Sequence, residues 1–288
     1  MLETRGDKIF NIINNIVLFI LALSMILPFM NLLSVSLSSR EAVTNGLVSF
    51  WPKEFTFSAY RFVMQDSMFW TGFKNSVFIT VVGTLLSMVV TSLAAYPLSK
   101  VYFRQRKFFI LIFIVTMVFS GGLIPTFLLI RQVGLYDNIW VFILPSTIAA
   151  YNMLLVKNYF ETLPESLSES ATIDGANEFQ IFLKIYLPLS LPTMATVGLF
   201  YAVGYWNSYF PGIMYISTPS LKPLQTYLYE LLSISYIPAH ELPLELAMSL
   251  STESVRAATV FASTVPILIV YPFLQKYFVK GLVVGSDK

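Results

Sequence analysis

The sequence predicts an all-α polytopic membrane protein with six transmembrane helices, and three observations predict it. Charged residues make up 12% of the 288 positions and hydrophobic ones 56%, whereas soluble domains carry about 25% charged residues. Six runs hold no charge at all: residues 9–39, 75–99, 108–130, 138–156, 185–221 and 257–275, each at least 19 residues long. A helix needs about 20 apolar residues to cross the hydrocarbon layer. Third, Lys100, Arg104, Arg106 and Lys107 crowd the connection between the second and third runs with no acid among them. Short loops rich in Lys and Arg stay on the cytoplasmic side. An even number of spans then puts both termini inside, where 11 of the 18 basic residues fall against 7 outside.

The elements follow in order. Span 1 covers about residues 10–33; it is too long for the apolar core of a signal peptide and no small-x-small site follows it, so it reads as a retained helix. The external stretch after it contains "FWPKEFTFSAYRFVMQDSMFW", a mixture of aromatic and charged residues that suits a helix at the outer interface. Span 2 takes about 74–98 and span 3 about 108–130. The short "RQVGLYDN" makes spans 3 and 4 antiparallel neighbours, span 4 running over about 139–157 with Pro145 inside it. Gly121, Gly122 and Pro125 in span 3 read first as close helix packing and second as a bend. Span 5 takes about 191–210 and span 6 about 257–277. Between these two lies an external segment with five prolines, four acids and the sole histidine, His240, which reads as a surface residue. The chain is expected to form one membrane domain over 1–288.

Composition also excludes chemistry. There is no cysteine, so disulfides and thiolate metal sites are ruled out, and one histidine makes no metal cluster. A net charge of +2 gives no nucleic-acid footprint. No G-x-x-x-x-G-K-[ST] loop for nucleotide phosphates occurs.

The polar insert at 163–188 stands apart. In "LPESLSESATI", Pro164 suits the start of a helix, where its missing N–H costs nothing. Asp174-Gly175 ends that helix, glycine supplying the left-handed turn. Asn177, with Gln180 three residues on, opens a second helix as a capping box, expected to end at Pro188. Phe179, Phe182, Leu183 and Tyr186 give it an apolar stripe, so the pair can pack one side on the bundle and offer the other to a soluble partner. Spacing alone leaves open a solvated linker between spans.

The stretch Glu169-Ser170-Ala171-x-x-Asp174-Gly175-Ala176, followed at fixed distance by Ile185-x-Leu187-Pro188, resembles the EAA loop of bacterial ABC importer permeases. The carbohydrate-uptake branch is most similar, with Ser170 where alanine is usual. "NSVFITVVGTLLSMVVTSLAAYPLSK", "WNSYFPGI" and "QKYFVKGLVVGSDK" extend the likeness over nearly the whole chain, toward the MalG-like permeases of the LplC and YtcP-like group. The resemblance implies a type I ABC importer transmembrane domain in the bacterial inner membrane. It implies a second, homologous permease subunit, a dimer of cytoplasmic ATPase subunits and an extracytoplasmic solute-binding protein as partners. ATP and Mg would be held by the ATPase and no cofactor by this chain. Glu169 would face the ATPase, Asp174 and Gly175 would shape the turn, and the loop would transmit force without catalysing anything.

Ionisable residues are nearly absent from the six runs, where they are expensive and usually functional. That argues for energy supplied from outside the membrane and for a neutral substrate such as an oligosaccharide. Tyr201, Tyr205 and Tyr209 are spaced i, i+4, i+8 on one helical face, with Trp206 and Asn207 beside them; aromatic faces suit sugar rings. Tyr151 and Asn152 on span 4 are further candidates for this path. Against path lining stands plain packing or interface anchoring. A stand-alone carrier for a neutral solute would need membrane acids or a duplicated half, and neither is visible. An importer permease for a non-sugar substrate is the nearer alternative.

Overall fold

The structure is a computed structural model that describes residues 5–233 and 250–283, with side chains described as far as residue 269. The segment around His240 and Glu241, expected to be external, lies outside the described residues. Among those described, every regular element is helical. The chain falls into two compact units, Met1–Ser67 with Glu230–Val265, and Met68–Tyr229 with Pro266–Lys288.

The first unit begins with α1 (Arg5–Ser36), whose stretch from Phe10 is apolar enough to cross a membrane. Its large side chains, from Phe10 through Phe29, are exposed in the isolated chain, as expected of a helix whose neighbours are lipid or other subunits. At its end the surface changes character. Ser34, Ser36 and Ser38 are buried because their hydroxyls serve the loop that folds back on them. Ser34 Oγ donates to Phe50 O at 2.7 Å, and Ser36 Oγ lies 2.9 Å from Tyr60 Oη. Tyr60 stands on the short helix α3 (Ser58–Gln65), which follows α2 (Arg40–Thr44) and buries Ala59 and Val63. A helix does form in this aromatic stretch, and it is α3.

In the second unit α4 (Ser67–Ser99) is the second helix that alone is long and apolar enough to span. Its buried face reads Ser76, Ile79, Gly83, Ser87, Thr91, Ala95, a three-and-four spacing of mostly small residues that lets another helix approach closely. Gly83 shows why: a Cβ there would sit 2.9 Å from ring atoms of Tyr205.

Spans 3 and 4 are bent, span 3 at the glycines for which the sequence offered a bend only as its second reading. Span 3 is α5 (Arg106–Val118) and α6 (Leu123–Gln132), inclined at 116°. Gly122 makes the break at φ 82°. Gly121 has open space where a Cβ would stand, so the pair serves a turn and not close packing. Span 4 opens as two 3₁₀ turns, Ile139–Phe142 and Leu144–Ser146, the second holding Pro145, before α7 (Ala150–Thr162). Span 5 is α11 (Leu191–Trp206), followed by α12 (Phe210–Tyr215) and α13 (Leu224–Ser233). The last helix, α14, covers Thr252–Val283. By length and composition the described residues offer two spans, or up to five when each bent pair counts as one.

Asp137, in the turn before the first 3₁₀ segment, adopts φ 53°, a left-handed geometry that Asp tolerates better than most residues. Its carboxylate accepts from Ser217 N at 2.9 Å, Thr218 N at 2.8 Å and Thr218 Oγ1 at 2.7 Å. The Thr218 bonds, foremost among these, hold its pKa below the usual carboxylate value.

Candidate functional site

The insert at 163–188 folds as a helix–turn–helix. Pro164 caps α8 (Glu165–Ile173), no residue of which is buried. Gly175 follows at φ 83°, and its N–H and that of Ala176 bond back to Thr172 O and Ala171 O. The expected capping box is present: Gln180 N donates to Asn177 Oδ1 at 2.9 Å, and Asn177 N to Gln180 Oε1 at 3.0 Å. It opens α9 (Glu178–Ile181).

Beyond that point the structure corrects the expectation. Pro188 does not end the helix; a π-helical turn (Phe182–Tyr186) leads into α10 (Leu187–Leu189). The proline falls in the first positions of α10, where the helix needs no N–H from it. The chain then turns through 82° into α11.

The apolar stripe also divides differently. Ile181, Phe182 and Tyr186 are buried, while Phe179 and Leu183 are exposed. Tyr96, Phe160, Phe182 and Tyr186 form one aromatic cluster, Tyr96 lying 5.1 Å from Phe182 and 5.0 Å from Tyr186 between centroids, with Phe160 5.6 Å from Tyr186. This cluster holds the second helix to the C-terminal ends of α4 and α7. Of the nine residues predicted for this module, Glu169, Ser170, Asp174, Gly175 and Pro188 are exposed, and Ala171, Ala176, Ile185 and Leu187 are partly covered. Ile173 is 86% exposed.

Two contacts of this module were not foreseen. The Glu178 carboxylate accepts from Tyr96 Oη at 2.6 Å and Tyr102 Oη at 2.9 Å. Lys100, counted above as a loop cation, is only 6% exposed. Its Nζ donates to Tyr186 Oη at 2.7 Å and Ser168 Oγ at 3.0 Å, over the Tyr186 ring at 4.0 Å. No local signal reveals these pairings, because the partners stand far apart in the chain.

The second candidate group assembles in part. Tyr201, Tyr205 and Asn152 line one cavity of about 240 Å³ together with Ser146 and Ser208. The two tyrosine rings stack at 6.4 Å between centroids. Their hydroxyls are engaged: Tyr201 Oη lies 2.7 Å from Thr91 Oγ1, and Tyr205 Oη 2.8 Å from Ser87 Oγ. These rings both join α11 to α4 and form a wall of the cavity, so packing and lining are one arrangement. Tyr151 points elsewhere and is exposed. Trp206 is buried, with no partner for its Nε1 among the described residues, against a separate apolar cavity of about 250 Å³. Asn207 donates to Val203 O, which ends α11, and Tyr209 stacks on Tyr229. Among the described residues no group of His, Cys, Asp or Glu is arranged to hold a metal.

Known proteins bear out the resemblance. Residues 4–284 match the model of a family described as binding-protein-dependent transport system inner membrane component. The polygalacturonan/rhamnogalacturonan transport system permease protein YtcP of Bacillus subtilis (strain 168) is 40% identical over 98% of this chain and 99% of its own length. Protein LplC of the same organism is 38% identical over 100% and 98%. A chain in the crystal structure of a bacterial ABC transporter that imports the acidic polysaccharide alginate superimposes with a TM-score of 0.90 at 39% identity, covering 96% of this chain and 99% of that one. The all-helical fold, its apolar helices and these matches together show that the chain belongs to the family of inner-membrane components of binding-protein-dependent transport systems, the permease subunits of ABC importers.

Proposed function

We propose that this permease forms half of the translocation pathway of an oligosaccharide importer and receives the work of ATP hydrolysis through the module at 163–188. The observation that carries this reading is the module's two-sided construction. One side is rooted by the aromatic cluster of Tyr96, Phe160, Phe182 and Tyr186, while Glu169, Asp174 and Ile173 remain exposed. A rigid root with a bare polar surface is what a force-transmitting contact requires.

Six spans with both termini in the cytoplasm belong to the same reading, supported by the cationic 100–107 loop and by the five spans available among the described residues. The sixth would be α14. The other partners are a second homologous permease, a dimer of ATPase subunits that holds ATP and Mg, and an extracytoplasmic binding protein, all in the bacterial inner membrane. This chain supplies no catalysis and binds no cofactor.

Hydroxyls, an amide and two stacked aromatic rings around the Tyr201–Tyr205 cavity suit a saccharide. The related proteins named for polygalacturonan and for alginate favour an acidic sugar over the neutral one that the uncharged spans suggest. Stimulation of ATP hydrolysis by the binding protein loaded with oligogalacturonate, against a neutral oligosaccharide of equal length, separates the two.

The module is tested by affinity purification from native membranes in mild detergent, comparing wild type with Gly175→Trp and Glu169→Lys. The wild type is expected to bring down an ATPase and a second permease, and both variants to lose at least about tenfold of the ATPase, the loss of a single hot-spot contact. Retention of the ATPase at wild-type level by both variants would remove the module from the interface.

A further inference from the structure

We propose that Lys100 is a positioning residue that fastens the module to the C-terminal end of α4, so that displacement of the module reaches α4 directly. The proposal rests on reading 163–188 as the surface that meets the ATPase. By chain continuity the module pulls only on α7, through Leu163 and Pro164, and on α11, through Ser190. The second span, α4, is far from it in sequence, yet its C-terminal end and the residues that follow hold the module at two points of opposite charge.

At the first point, the Lys100 ammonium joins α8 to the π-helical turn: Nζ to Ser168 Oγ at 3.0 Å and to Tyr186 Oη at 2.7 Å. Ser168 Oγ and Tyr186 Oη are themselves 2.9 Å apart, which closes a triangle. The rings of Tyr186 and Tyr96 lie 4.0 Å and 4.9 Å from the charge. At the second point the carboxylate of Glu178 on α9 is held by the phenols of Tyr96 and Tyr102.

A buried cation without a carboxylate partner is a costly way to fill space, and an apolar side chain of similar volume packs as well or better. Among the described residues Lys100 forms no ion pair. What the ammonium adds is direction. Three donors on one atom tie two segments of the module to a third element, and neither can slide past α4 without breaking a charge-assisted bond.

The helix so gripped also carries Ser87 and Thr91, the partners of Tyr205 and Tyr201. Contacts therefore run without a gap from the exposed surface at 169–175, through Lys100 and α4, to the wall of the cavity. Contiguity alone does not establish coupling, and the experiment must supply it.

The chain has no native cysteine, so spin labels can be placed at Ser166→Cys on α8 and Leu85→Cys on α4, both at exposed positions. In the purified complex with its ATPase, the 166–85 distance is measured nucleotide-free and after trapping with ATP and vanadate. The distance is expected to be the same in both wild-type states, because the two segments move together. In Lys100→Met it is expected to shift or broaden on trapping, with Lys100→Arg restoring the single distance. Tyr186→Phe removes one acceptor while keeping the ring, and carries the test should Lys100→Met fail to assemble. A wild-type distance that changes on trapping would overturn the proposal, as would one that stays fixed in both Lys100→Met and Tyr186→Phe. A wild-type preparation with no ATPase to trap would instead sink the importer reading, and the proposal with it.

Discussion

At the residue scale, single atoms decide which substitutions the structure tolerates. Gly83 faces the Tyr205 ring so closely that an alanine Cβ would lie 2.9 Å from it. The ring would have to move, and its hydroxyl would leave Ser87. Gly83→Ala should therefore destabilise the protein by about 1–3 kcal/mol, the usual cost of overpacking, seen as an earlier thermal transition of the detergent-solubilised complex. Asp137 gives the pH-dependent counterpart. Its pKa is lowered in the folded chain, so it contributes stability above the unfolded value of about 3.9 and loses it as pH falls through the lower folded value. The Ser217–Thr218 contact should thus be unaffected between about pH 5 and 8 and weaken only in strong acid. Hydrogen exchange of the Ser217 and Thr218 amides checks this, and Asp137→Ala should expose them at neutral pH as well.

At the element scale, the module at 163–188 shows how much local chemistry can dictate. The proline start, the Asp174–Gly175 stop and the Asn177–Gln180 box are all local rules, and all three occur as read. Asn177→Ala should cost about 1 kcal/mol of local stability, measured as faster amide exchange across α9 with little change in α8. The rest of the module was not legible, for a physical reason. Lys100 finds its partners 68 and 86 residues away, so its burial depends on tertiary approach and a count of loop charges sees only a cation. The bend in span 3 was only the second reading of its glycines, and the break in span 4 was not read at all. An uncharged run marks a segment as apolar but is silent on whether it is straight, and the positive φ of Gly122 separates α5 from α6 inside a run that reads as one span. Tyr201 and Tyr205 were recognised as one face; that their hydroxyls bond to α4 depended on Ser87 and Thr91 facing them.

At the scale of the whole molecule, the long exposed apolar surfaces of α1 and of α5 belong to a subunit that functions among lipid and partners. The family assigns the permease role; that the work enters at the module is the proposal made above. A photoreactive maleimide on Ile173→Cys, in a chain with no other cysteine, asks about that place most directly; the same probe on Leu85→Cys, an exposed position in the middle of the apolar α4, serves as the control. Irradiation of the purified importer should join Ile173→Cys covalently to the ATPase subunit and leave Leu85→Cys unjoined to it. An ATPase that co-purifies at full yield and hydrolyses ATP, yet never cross-links at position 173, would contradict the account.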